Sequence, residues 1–164
     1  MKGEDVRTSQ SFPAAGEFQA GFPAASLEMI RHQAPEAYEH LRHTYAEAYR
    51  AADPTLLELA RLRIALIVDP DAPLGPGSNE AKVRAIEDWA NSDVYSPVER
   101  ACLAFAEQFA FYVSDVNDEL IEDLLALLPP DEVYGLVNAI YVVDTVERLR
   151  ATLARLSDGR GGSR

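Results

Sequence analysis

Residues 54–68 read PTLLELARLRIALIV, and this stretch constrains the fold more than any other. It has helical length, opens on a proline suited to a first helical position, and carries three charges, Glu58, Arg61 and Arg63. A helix that is apolar nearly all round has no face to spend on water, so other elements must enclose it. A chain of 164 residues can build one domain with a real hydrophobic core, and an apolar fraction of 48% is ordinary for such a domain. The helix at 54–68 therefore belongs at the centre of that domain.

The surrounding segments read as helices too. One is expected over about 27–33 with Ser26 as N-cap, and a second from Pro35 to about Ala51. In the second, Tyr38, Leu41, Tyr45, Ala48 and Tyr49 fall on one side, the period of an amphipathic helix. Asp53-Pro54 caps the central helix, and the Pro- and Gly-rich loop Asp69–Gly77 ends it. Ser78 is expected to open a fourth helix with Val83, Ile86 and Trp89 facing inward. Ser96-Pro97-Val98-Glu99 is a capping box for a fifth, which should bury Ala101, Cys102, Phe105, Phe109 and Val113. A sixth spans about 117–128, Pro129-Pro130 breaks the chain, and a seventh runs over about 131–156. No segment alternates with period two between hairpin turns. The expected fold is all-α, a single-domain bundle of about seven helices over 26–156. An extended arm (1–25) precedes it and a disordered tail (157–164) follows. Within the arm, Phe12-Pro13-Ala14-Ala15 recurs as Phe22-Pro23-Ala24-Ala25, an echo suited to packing on the domain, covering a pocket or reaching another subunit.

Composition narrows the function. A net charge of −12 repels phosphate backbones and anionic membranes, so neither nucleic acid nor a membrane is an expected partner. From Ser114 to Glu147 there are nine carboxylates and no Lys or Arg, read as a solvated acidic face. The single cysteine, Cys102, excludes a disulfide framework and dithiol chemistry within one chain; a reducing, cytoplasmic setting is expected. No basic residue neighbours Cys102 on its helix, so it reads as a core residue.

Three constellations have chemical potential. Glu58 is a carboxylate forced into an apolar helix, where it either pairs with Arg61 or titrates abnormally as a general acid or base. On the seventh helix Asp144 sits among Val137, Ile140 and Tyr141 and can pair with Arg148, while Asn138, Tyr141 and Thr145 form a second polar line. On the second helix Glu36, His40, His43 and Glu47 form one stripe of potential metal ligands. That stripe lies opposite the apolar face and is expected to point to solvent, so no metal and no other cofactor is favoured.

In their order and spacing, LLELARLRIALIV, EAKVRAIEDW, YSPVERACLAFAEQF and the DEL…LLPPDEVYGLVNAIYVVDTVERL stretch resemble the carboxymuconolactone decarboxylase-like family, that of the alkylhydroperoxidase D-like proteins. The resemblance covers about residues 35–156. It implies an all-helical fold, a homo-oligomer (often a trimer or hexamer) and a site among helices near subunit contacts. The peroxidase branch pairs a glutamate with a Cys-x-x-Cys twelve residues on and a histidine four beyond the second cysteine. Counted on this chain the glutamate is Glu58, the cysteine positions are Pro70 and Pro73, and the histidine position is Gly77. The dithiol is absent.

The resemblance and the residues together favour a cofactor-independent enzyme that moves protons on a small molecule, by decarboxylation, isomerisation, dehydration or cyclisation. Glu58 would be its acid or base, Arg61 or Arg63 would bind a substrate carboxylate or an enolate, and Tyr141 and Asp144 would orient the substrate. Two alternatives stand beside this: a non-catalytic oligomeric ligand-binding or interaction domain, and a metal-binding helical protein using Glu36, His40, His43 and Glu47.

Overall fold

The structure, a computed structural model, describes residues 18–72 and 79–161, with side chains through Ser157. The described residues form helices α1 (Ala24–Gln33), α2 (Pro35–Ala51), α3 (Pro54–Val68), α4 (Glu80–Ala85), α5 (Pro97–Phe111), α6 (Asp118–Leu125) and α7 (Pro130–Gly161). Short 3-10 segments follow α4 (Ile86–Asn91) and α5 (Val113–Asp115), and there is no strand among the described residues. The fold is all-α.

Helix α3 is central because it meets a core on each side. It packs against α5 and α7, while α2 covers α7, α6 leans on α5, and α1 crosses α2 and α7. Leu56, Leu57, Ala60 and Ile64 enter the main core with Tyr45, Phe105, Leu136, Ile140 and Val143. Leu59 and Leu62, on the other side of α3, join a smaller core with Ile86, Tyr95 and Leu103. Two cores account for a helix without a polar face. Cys102 lies in the main core with no exposed surface, its Sγ 3.4 Å from the Leu56 carbonyl oxygen. Burial, with the charges of Asp53 and Glu99, pushes its thiol up to about 12, so it stays protonated and inert.

Local signals fix the helix starts. Asp53 Oδ1 accepts from the amides of Thr55 (2.8 Å) and Leu56 (3.0 Å), and Pro54 follows at the first helical position. The capping box forms in full, Ser96 N donating to Glu99 Oε2 (2.9 Å) and Glu99 N to Ser96 Oγ (3.4 Å).

Several expectations need correction. Helix α1 begins at Ala24, with Pro23 at its N-cap, and Ser26 is not the cap: it lies inside the helix, buried, its Oγ 2.8 Å from Ser157 Oγ. That contact is made possible because α7 continues to Gly161, five residues past the expected end and into the segment read as tail. The arm is not wholly extended either. Phe18 is buried in the main core, and Gly21 turns the chain with φ of 82°, a left-handed conformation that favours glycine. Phe22, the second anchor of the echo, packs on the core beside Phe18; the first lies outside the described residues. Ser78 is likewise outside them, and Asn79 caps α4. Val113 is exposed rather than buried because α5 ends at Phe111 and Tyr112 turns extended, taking Val113 off the helical face.

Gly135 marks the closest helix contact. A β-carbon there would lie 2.2 Å from the Ala51 carbonyl oxygen, so the end of α2 and the start of α7 approach at a distance only glycine permits.

Candidate functional site

A cleft of about 250 Å³ opens between α3 and α4, lined by Thr55, Glu58, Leu59, Leu62, Asn79, Lys82 and Val83. Glu58 reaches it from one turn inside α3 because the Asp53 cap fixes where that helix begins. Its side chain keeps 28% of its surface exposed. The carboxylate is oriented by three donors: Arg61 Nη2 to Oε1 (2.7 Å), Arg61 Nε to Oε2 (2.9 Å), and the Tyr49 hydroxyl to Oε2 (3.0 Å). A carboxylate offers about four lone-pair positions, so one remains, on Oε1.

Behind Glu58 the pairing continues into the protein. Arg61 Nη1 lies 3.6 Å from Glu147 Oε1, and Glu147 also pairs with Arg150. Arg150 donates to the Phe18 carbonyl (2.8 Å) and sits over the rings of Phe22 and Tyr45. Burial alone would pull the Arg61 guanidinium down, but the hydrogen bonds and charge of Glu58, with the charge of Glu147, hold it above its ordinary value. Burial pushes the Tyr49 hydroxyl upward, and the charges of Tyr45 and Glu58 add to this. Tyr49 is therefore a proton-bearing donor to Glu58. Of the two readings from sequence, Glu58 takes the pair with Arg61, and it does so beside a cleft.

The opposite wall is built by Lys82. Its ammonium pairs with Glu99, which is buried at the start of α5, and the Tyr95 hydroxyl donates to the Lys82 carbonyl (2.6 Å). Sequence reading missed Lys82 because nothing near it in the chain signals the carboxylate, 17 residues on, that holds it. The capping role of Glu99 was visible, its second partner was not.

The other predicted residues lie elsewhere. Arg63 binds Glu107 (Nε to Oε2, 2.8 Å), which also accepts from Trp89 Nε1 (2.8 Å). Asp144 is buried and pairs with Arg148 as expected (2.8 Å), and Arg148 also donates to the Ala110 carbonyl (2.6 Å). Asp144 Oδ1 has no hydrogen-bond partner among the described residues. Tyr141 is 64% exposed and meets Phe109 edge to face. Asn138 and Thr145 bond to carbonyls of their own helix, those of Tyr134 and Tyr141. Neither Tyr141 nor Asp144 lines the Glu58 cleft. Glu36, His40, His43 and Glu47 are all exposed, with His43 Nε2 3.9 Å from Glu47. No group of three or more metal-ligating side chains converges among the described residues. Of the positions where the peroxidase motif would stand, Pro70 is an exposed turn residue, and Pro73 and Gly77 lie outside the described residues.

No family model matches the chain, and no curated protein matches it. Among solved structures it is similar to the crystal structure of a protein of unknown function from Agrobacterium tumefaciens, described as a candidate antioxidant defence protein AhpD. The likeness has a TM-score of 0.66 at 20% identity and covers 76% of this chain and 92% of that one. The chain has the alkylhydroperoxidase D-like fold.

Proposed function

We propose that this protein is a cofactor-independent enzyme that transfers a proton on a small organic molecule held in the cleft between α3 and α4. The reaction classes that fit are decarboxylation, isomerisation, dehydration and cyclisation. The observation that carries the reading is Glu58, a carboxylate held by three donors with an acceptor position left at a cleft. A base fixed in this way meets its substrate without first reorganising. Arg61 acts through Glu58 as a positioning residue, since Glu58 and Glu147 already engage it. Arg63, Tyr141 and Asp144 belong to other constellations and do not enter the proposal. Dithiol peroxidase chemistry is set aside on the chain's own residues, a single cysteine buried in the core.

A panel of small lactones, β-keto acids and hydroxy acids incubated with the protein in D2O tests this, with deuterium incorporation followed by NMR. The wild type should exchange or convert at least one member, and Glu58→Gln should abolish this while its circular dichroism shows that the helical fold is kept. Full activity in Glu58→Gln would sink the assignment. The tight Glu58–Arg61 pair also suits a second reading, a ligand-binding domain without turnover. On that reading the panel binds but takes up no deuterium.

The assembly proposed is a homo-oligomer, a trimer or hexamer, in the cytoplasm. Its support is the exposure of Phe111, Tyr112 and Val113 at the end of α5 and of Tyr141 on α7. Among the described residues no helix is long and apolar enough to cross a membrane.

A further inference from the structure

We infer that the cleft takes a small organic anion and that Lys82, on the wall provided by α4, binds its carboxylate, with Glu99 as the residue that positions Lys82. The inference deepens the proposed function and rests on the α3–α4 cleft being the substrate site.

Donor accounting supports it first. A lysine ammonium has three N–H donors and no acceptor. Glu99 Oε1 takes one of them, and no other acceptor is found for Lys82 among the described residues. Two donors therefore remain on a side chain that lines the cleft and is only one-fifth exposed. A cation that has shed most of its water with donors to spare is suited to an incoming oxyanion.

The lysine is also held. The Asn79 side chain accepts from the Lys82 backbone amide (3.3 Å), Tyr95 binds its carbonyl, and Glu99 holds the ammonium. Glu99 cannot follow a departing lysine easily, because the Ser96 amide pins its other oxygen in the capping box. The long, flexible side chain thus arrives preorganised.

Competing cations are engaged. Arg61 serves Glu58 and Glu147, Arg63 serves Glu107, and Arg100 donates to the carbonyls of Trp89, Ala90 and Ser92. On a chain with a net charge of −12 an anion needs a local cation to be admitted. Lys82 and Glu58 line the same cleft, so an anion seated on Lys82 has a proton acceptor within its site.

The test is calorimetry and amide-shift NMR with benzoate, succinate and 2-oxobutyrate, each compared with its neutral amide. At least one carboxylate should bind the wild type, shift the cleft residues and weaken with added salt, and its amide should bind roughly tenfold or more weakly. Lys82→Met should lose a similar factor, and Lys82→Arg should recover part of it. Because Lys82→Met strands the Glu99 carboxylate, the double variant Lys82→Met/Glu99→Gln, which removes both charges, should fold normally and still fail to bind. Glu99→Gln alone should weaken binding while the preference for carboxylate over amide persists. Glu58→Gln should keep carboxylate binding. Equal affinity for acid and amide, wild-type affinity in both Lys82 variants, shifts confined to residues away from the cleft, or no binding by any carboxylate would overturn the inference. Loss of turnover in Glu58→Gln with unchanged binding in Lys82→Met defeats the anion site alone. Retained turnover in Glu58→Gln beside Lys82-dependent binding defeats the proton-transfer reading alone.

Discussion

Glu58 and Arg61, one turn apart on α3, are joined by two parallel hydrogen bonds, and Arg61 also approaches Glu147 on α7. A carboxylate at the cleft is thereby tied to the core-facing side of another helix. Arg61→Met would leave Glu58 without its cation while Glu147 keeps Arg150, and because Glu58 is partly exposed the cost is about 1–3 kcal/mol. Urea unfolding of Arg61→Met, Glu58→Gln and the double variant measures this. The cycle should give a coupling of roughly 1–3 kcal/mol, and additive effects would show that the pair contributes nothing beyond its separate members.

Glu99 makes stability depend on acid. Burial alone would raise its pKa, but the Lys82 hydrogen bond, the Ser96 amide and the Lys82 charge together lower it below the usual carboxylate value. The folded chain therefore stays ionised at Glu99 where the unfolded chain has taken up a proton. The stabilisation is complete above the ordinary carboxylate range, near about pH 4, and is lost as pH falls through the depressed value. The urea midpoints of wild type and Glu99→Gln should differ clearly at neutral pH and converge in acid. A gap that persists in acid would contradict the sign.

Gly135 faces the Ala51 carbonyl at a spacing that excludes a β-carbon. Alanine in a helix ordinarily gains up to about 1 kcal/mol over glycine. Here α2 and α7 would have to separate, and overpacking of that kind costs about 1–3 kcal/mol. Gly135→Ala should melt below the wild type; a raised Tm would show that the two helices yield freely.

The apolar surface at the end of α5 predicts self-association. Sedimentation should give a mass that is a multiple of 18.0 kDa, and serine at Phe111, Tyr112 and Val113 together should shift it toward the single chain. A wild-type protein sedimenting as one chain would remove the proposed oligomer.

What was legible in the sequence was local. Prolines at first helical positions, the Asp53 cap and the Ser96–Glu99 box lie within a few residues of what they control, so the starts of α2, α3 and α5 could be read directly. Glu58 was legible because it breaks an apolar pattern. The pairings that decide what each charge does were not. Glu107, the partner of Arg63, is 44 residues away, and Glu99, the partner of Lys82, is 17 away. Periodicity places a residue on a face but does not say which charge on another helix faces it. Arg63 therefore looked as available as Arg61, and Lys82 drew no reading. Tyr141 and Asp144 occupy adjacent faces of α7, one exposed and one buried, so their nearness in sequence did not make them one site.

The position of Cys102 has a practical consequence. It is the single sulfhydryl of the chain, and it sits where α3 and α5 meet, with no surface open to a reagent. An alkylating agent can reach it only when those two helices part, and each chain that has parted gains one mass increment. The pace of labelling in native buffer therefore reports how often the bundle's centre opens. The protein carries its own stopwatch for opening, with no engineered probe required.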